Sequence, residues 1–191
     1  MKICVFGASS DHLRQEYFDE ARALGALLAE GGHTLVYGGG RGGLMGACAA
    51  GVLEAGGEII GVAPRFFDEG DVLLKEHGAC IFTDTMAERK SKMEELADAF
   101  IVLPGGSGTL EEFFEVFTLR QLGQHRRPIV LLNTLSYYDA LLSLLRQAAE
   151  SGFLSHDALE LMPLASSPEE ALSLALGTQD GPMRSIADYG K

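Results

Sequence analysis

Short apolar runs that end in glycine and give way at once to helical periodicity recur along this chain, and that alternation restricts it to very few architectures. Residues 3–6, ICVF, run without a polar interruption into Gly7-Ala8-Ser9-Ser10, the pattern of a strand buried on both faces that ends in a polar turn. Over residues 14–30, apolar side chains return at helical spacing at Phe18, Ala21, Leu24, Ala26, Leu27 and Leu28, and Gly31-Gly32 stops the helix. The same reading places strands at 34–37, 58–63, 79–83, 99–103 and 129–132. Helices are expected at 44–55, 85–98, 109–122, 137–151 and 168–176, with a short edge strand at 161–164. Residues 64–78 mix aromatic, acidic and glycine residues without a period and are expected to form a loop that a ligand or partner orders in part.

Strands that alternate with helices across short connections imply right-handed crossovers and a parallel sheet covered on both faces. The expected fold is therefore α/β, a Rossmann-like doubly wound parallel sheet in a single domain over residues 1–177. Residues 178–191 lose periodicity and read as a flexible tail. A chain of 191 residues, 47% of them hydrophobic, suffices for one such core.

A formal net charge of −12 repels duplex nucleic acid and anionic membranes alike, so neither is an expected partner, and any bound phosphate must be held by local groups. Cys4, Cys48 and Cys80 are odd in number and lack CxxC spacing, which argues against a disulfide framework or a thiolate metal site and fits a cytoplasmic protein. The five histidines, at 12, 33, 77, 125 and 156, show no HxxxH or HExxH spacing, so no metal is expected. The N-terminal apolar run is too short for a signal peptide, and no stretch approaches the roughly 20 apolar residues of a membrane helix.

In an open parallel sheet, ligands bind beyond the carboxyl ends of the strands, where helix N-termini present free N–H groups. Three glycine-bearing turns fall at such ends: residues 7–10, residues 38–43 and residues 104–109. The third, Pro104-Gly105-Gly106-Ser107-Gly108-Thr109, reads as a phosphate cradle, because glycine lets backbone N–H groups approach an anion and Thr109 adds a hydroxyl. GASSDH after the first strand does not match GxGxxG, and no GxxxxGK[ST] occurs, so neither a dinucleotide fingerprint nor a Walker A loop is present. Glu112 follows the cradle by about one helical turn, where a carboxylate could oppose developing positive charge on a sugar. Glu111 and Glu115 compete with it, and spacing alone does not exclude Glu115. Arg89 is placed to make a forked contact with phosphate or ribose hydroxyls, and Lys90 is turned about 100° from it. Met86 and Met93 share a helix face as core or pocket walls, and His125 reads as structural.

PGGSGTLEE at 104–112 and MAERKSKM at 86–93 resemble the PGGxGTxxE and MxxRKxxM signatures of the LOG family of cytokinin riboside 5'-monophosphate phosphoribohydrolases, once labelled lysine decarboxylases. YGGGRGGLMG at 37–46, GVAPRFF at 61–67 and QLGQH at 121–125 are also similar, so the resemblance spans roughly residues 2–177. It departs at Arg41, where many relatives carry a smaller residue, and at Leu119, where an aromatic is common. The resemblance implies cleavage of the N-glycosidic bond of an adenine-type nucleoside 5'-monophosphate, without a cofactor, by a homodimer joined through helices around 44–55 and 86–122. It implies Arg89 and Glu112 as catalytic. Ser9, Gly39, Gly40, Met86, Lys90, Gly105, Gly106, Gly108, Thr109 and Glu115 are the expected substrate-binding residues. Two other functions compete: a carrier that binds a nucleotide or cofactor without chemistry, and a pyridoxal-phosphate decarboxylase, for which Lys75, Lys90 and Lys92 lack a marking context.

Overall fold

The computed structural model describes residues 1–67, 73 and 79–177. Most of the loop expected at 64–78, including Lys75, and the tail expected at 178–191 lie outside the described residues. Seven strands form one sheet: β1 (Lys2–Phe6), β2 (Thr34–Tyr37), β3 (Glu58–Pro64), β4 (Ala79–Thr83), β5 (Ala99–Val102), β6 (Ile129–Leu132) and β7 (Leu164–Ala165). Every pairing is parallel, in the order β4-β3-β2-β1-β5-β6-β7. The chain thus steps outward from β1 to one edge and then crosses to β5 on the other side of β1. A crevice forms at such a reversal, between β1 and β5.

Alternation along each strand divides the core in two. Ile3, Val5, Leu35, Ile101 and Val130 pack against α1 (Gln15–Glu30), α2 (Gly43–Glu54) and α7 (Pro168–Leu176). Cys4, Phe6, Val36, Phe100 and Leu131 face α3 (Met86–Leu96), α4 (Ser107–Gln121), α5 (Asp139–Glu150) and α6 (His156–Glu160). Both faces are therefore covered by helices, as the unbroken apolar strands required.

The structure differs from the sequence reading at several boundaries. β3 reaches Pro64, and residues 65–67 continue as a 3-10 turn rather than an irregular loop. The last strand is not 161–164: Leu161 and Met162 are buried at the end of α6, and pairing begins only past Pro163, whose carbonyl accepts from the Leu131 N–H. At five residues, α6 is too short to show a period and was not expected.

Helices α1 and α2 touch backbone to backbone. A Cβ on Gly25 would fall 2.0 Å from the Cys48 carbonyl oxygen, and one on Gly51 would fall 2.1 Å from that of Arg22. Gly25→Ala is expected to destabilise the fold by about 3 kcal/mol, the upper range for overpacking, since a carbonyl cannot swing aside as a side chain can. Urea denaturation reads this directly, and a variant as stable as its parent would contradict the close crossing.

Candidate active site

The three glycine turns meet at the carboxyl end of the sheet, and their hydrogen bonds distinguish them. Asp11 occupies the start of α2: its Oδ1 accepts from the Gly43 N–H at 2.7 Å. The turn after β1 is tied to both neighbours, with Ala8 N–H donating to the Pro104 carbonyl at 3.1 Å and the Ala8 carbonyl accepting from Leu44 N–H at 2.8 Å. Helix α4 differs from α2. Its N-cap is Gly106, which offers no side-chain acceptor, so the first-turn N–H groups at Ser107, Gly108 and Thr109 have no partner within the helix. The positive end of this helix is the one left for an anion.

The carbonyls that precede it are turned to the protein. Leu103 O accepts from the Tyr138 hydroxyl at 2.6 Å, Pro104 O from Ala8 N–H, and Gly105 O from the Tyr137 hydroxyl at 2.6 Å. Gly105 is required by its own neighbour, because a Cβ there would fall 2.1 Å from Thr109 Oγ1. Gly106 and Gly108 are another matter: among the described residues, a Cβ on either meets no atom within 4 Å beyond its chain neighbours and its own helix backbone. Packing within the protein does not require glycine at these two positions, and both border a cavity.

Adjacent residues on α3 reach adjacent residues on α4. Arg89 Nη1 donates to Glu112 Oε1 at 2.6 Å, with both side chains nearly buried, and Arg89 Nε donates to the Val62 carbonyl at 3.2 Å. Gly38 makes room for this guanidinium, since a Cβ there would fall 2.2 Å from Nη2. One residue on, Lys90 pairs with Glu111 and with Glu115, at 3.0 Å for the latter. The 100° step of the helix separates the pairs, so Glu111 and Glu115, four apart, share the outer one. Burial raises the Glu112 carboxyl above the usual carboxylate range, and the charge and hydrogen bond of Arg89 offset part of that.

A cavity of about 520 Å³ opens here, with Ser9, Gly40, Met86, Arg89, Gly106, Gly108, Thr109 and Glu112 in its wall. Four expected substrate-binding residues are not part of that wall. Lys90 and Glu115 are engaged with each other, Gly105 supports Thr109, and Gly39 takes a left-handed φ of 75° that turns the chain toward Gly40. Met45, Phe67 and Leu73 also line the cavity; Met45 and Phe67 fall in the family-like segments 37–46 and 61–67 without having been singled out, and no period or motif marked Leu73. Leu73 reaches it through an isolated bridge to Gly40. Arg41 and Leu119, the departures from the family pattern, are not in the wall. Met86 and Met93 divide: Met86 is 41% exposed at the cavity, whereas Met93 is core. His125 is fully engaged, with Nδ1 accepting from Arg127 N–H at 3.2 Å and Nε2 therefore donating to the Val116 carbonyl at 2.9 Å. Its pKa is pushed down to about 4, chiefly by burial, which keeps the ring neutral. Among the described residues there is no cluster of three His, Cys, Asp or Glu that could hold a metal ion, and no helix is long and apolar enough to cross a membrane.

A family model described as possible lysine decarboxylase matches residues 45–174. The chain is 40% identical over 173 residues to cytokinin riboside 5'-monophosphate phosphoribohydrolase LOG2 of Arabidopsis thaliana, an alignment that takes in 91% of this chain and 81% of the relative. It is 42% identical over 169 residues to the phosphoribohydrolase LOG of Oryza sativa subsp. japonica, covering 88% and 70%. Among solved structures, the molybdenum cofactor binding protein of Rippkaea orientalis superposes with a TM-score of 0.68 at 26% identity, over 91% of this chain and 93% of that one. The Moco carrier protein of Chlamydomonas reinhardtii gives 0.67 at 23% identity, over 90% and 93%, and bears on the fold alone.

Proposed function

Since the chain belongs to the LOG family of phosphoribohydrolases, we propose that the cavity beyond β1 and β5 holds a nucleoside 5'-monophosphate with its phosphate on the N-terminus of α4. The enzyme hydrolyses the N-glycosidic bond of an adenine-type nucleotide and releases free base and ribose 5-phosphate. One observation carries the reading of the site: an uncapped helix start and a buried Arg89–Glu112 pair border the same cavity.

Glu112 lies six residues beyond the N-cap Gly106, a rise of about 9 Å, and helical side chains lean back toward the N-terminus. A ribose 5-phosphate fits between the two ends. Met45, Phe67, Leu73 and Met86 provide an apolar wall for the base. As the C1'–N bond breaks, its electron pair leaves with the base and positive charge develops on the sugar. The Glu112 carboxylate opposes that charge and accepts a proton from the attacking water, whose oxygen bonds to C1'; it then passes that proton to the departing base, which leaves neutral, and is itself restored as a carboxylate. Arg89 holds Oε1 and favours the ionised carboxylate against the larger upward effect of burial.

Incubation with AMP and with isopentenyladenosine monophosphate, followed by chromatography, tests this reading. Free base and ribose 5-phosphate are expected; a nucleotide retained unchanged would favour a carrier, the role named for the Chlamydomonas reinhardtii protein of this fold. Pyridoxal-phosphate decarboxylation has less support. No lysine lines the cavity among the described residues, Lys90 is held by two glutamates, and Lys92 pairs with Glu95 at 2.9 Å. The family resemblance further supports a homodimer through α2, α3 and α4, which light scattering would reveal as a doubled mass. Cys4, Cys48 and Cys80, none of them in a disulfide among the described residues, suit a reducing cytoplasm, and cytokinin activation is the proposed role.

A further inference from the structure

Two adjacent tyrosines outside the cavity wall hold the backbone of the loop that forms it. Tyr137 donates its hydroxyl to the Gly105 carbonyl and Tyr138 donates to that of Leu103, each at 2.6 Å. They follow a turn after β6 in which Leu135 and Ser136 both take left-handed conformations, with φ of 52° and 60°, which L side chains adopt only where their surroundings hold them. Asn133 fixes this turn: its Oδ1 accepts from Tyr138 N–H at 2.7 Å and its Nδ2 donates to Asp139 at 2.8 Å. The Tyr137 ring is gripped edge-on by Tyr17 and Tyr138, at 6.3 and 5.1 Å between centroids.

In a trans peptide, the carbonyl and the N–H that follows it point in opposite directions. A bond that draws the Gly105 carbonyl toward Tyr137 therefore turns the Gly106 N–H away from Tyr137. Gly106 lines the cavity and Tyr137 does not. Glycines on both sides of this peptide leave it little conformational preference of its own. We propose that Tyr137 is a positioning residue: through the Gly105 carbonyl, its hydroxyl holds the Gly106 N–H toward the substrate phosphate. Tyr138 anchors the start of the same loop at Leu103. The inference rests on the phosphate site at the N-terminus of α4. Without the Tyr137 hydroxyl, the Gly105–Gly106 peptide is free to turn over and present a carbonyl oxygen to the anion.

Tyr137→Phe removes one oxygen and keeps the ring contacts, and Tyr137 is 42% exposed, so the fold is retained. The expected result is a roughly tenfold rise in both KM for AMP and Ki for ribose 5-phosphate, the effect of one hydrogen bond, with kcat changed less and Tm held. Tyr17→Leu, which removes the edge-on ring contact with Tyr137 and leaves the loop carbonyls bonded, should leave Ki where it is. An unchanged Ki in Tyr137→Phe overturns the proposal, and so does an equal rise in Tyr17→Leu, which would assign the effect to ring packing. Wild-type protein that neither hydrolyses AMP nor binds ribose 5-phosphate removes the phosphate site and the proposal together. Wild-type activity alongside a silent Tyr137→Phe removes only the proposal.

Discussion

Glu112→Gln is expected to bind AMP and yet turn it over about 10²-fold or more slowly, the loss associated with a carboxylate used in proton transfer or charge stabilisation. Gln keeps an oxygen for Arg89 Nη1 to donate to, so the helix pair α3–α4 and the cavity keep their shape while the negative charge disappears. The pH profile gives a second readout. The working form is the carboxylate, and burial raises its pKa. As pH falls, the wild-type enzyme should therefore lose kcat/KM above the ~4.3 of an unperturbed glutamate. That acid limb should be absent from whatever activity Glu112→Gln retains. Turnover near wild type in the variant would remove Glu112 from the chemistry.

The sheet and the glycine turn before α4 were legible because each rests on a short contiguous pattern. Residues 3–6 and 99–102 are apolar without interruption, as strands covered on both faces must be, and residues 104–109 carry their glycines side by side. The 100° step that turns Lys90 from Arg89 was legible, but its partners were not: Lys90 and Glu115, expected among the substrate-binding residues, pair with each other outside the cavity wall. Met45, Phe67 and Leu73 come to the cavity from three separate segments, and only the tertiary fold joins them. The cap on α2 was equally hidden, since Asp11 lies 32 residues from Gly43.

Adenosine should be a far poorer substrate than AMP, with kcat/KM lower by about 10³-fold or more. Contacts to a group that does not react can hold the sugar against the catalytic pair, so losing the phosphate weakens turnover as well as affinity. The same inference predicts the behaviour of Gly108→Ala. A methyl group there meets no atom of the described residues within 4 Å beyond its own helix, and alanine suits a helix better than glycine, so stability should hold or rise. The methyl group would nevertheless occupy space beside the proposed anion, and KM for AMP should rise. Equal kcat/KM for AMP and adenosine would show that the cradle holds no substrate phosphate.

Asp11 acts as a resident anion. By satisfying the Gly43 N–H, it gives the start of α2 a negative group of its own, while the start of α4, without a side-chain cap, is left for an incoming one. The two helix starts at this end of the sheet are therefore not equivalent: one carries a carboxylate of the protein's own, the other has no side-chain cap, and a single residue in the segment between β1 and α1 makes that difference.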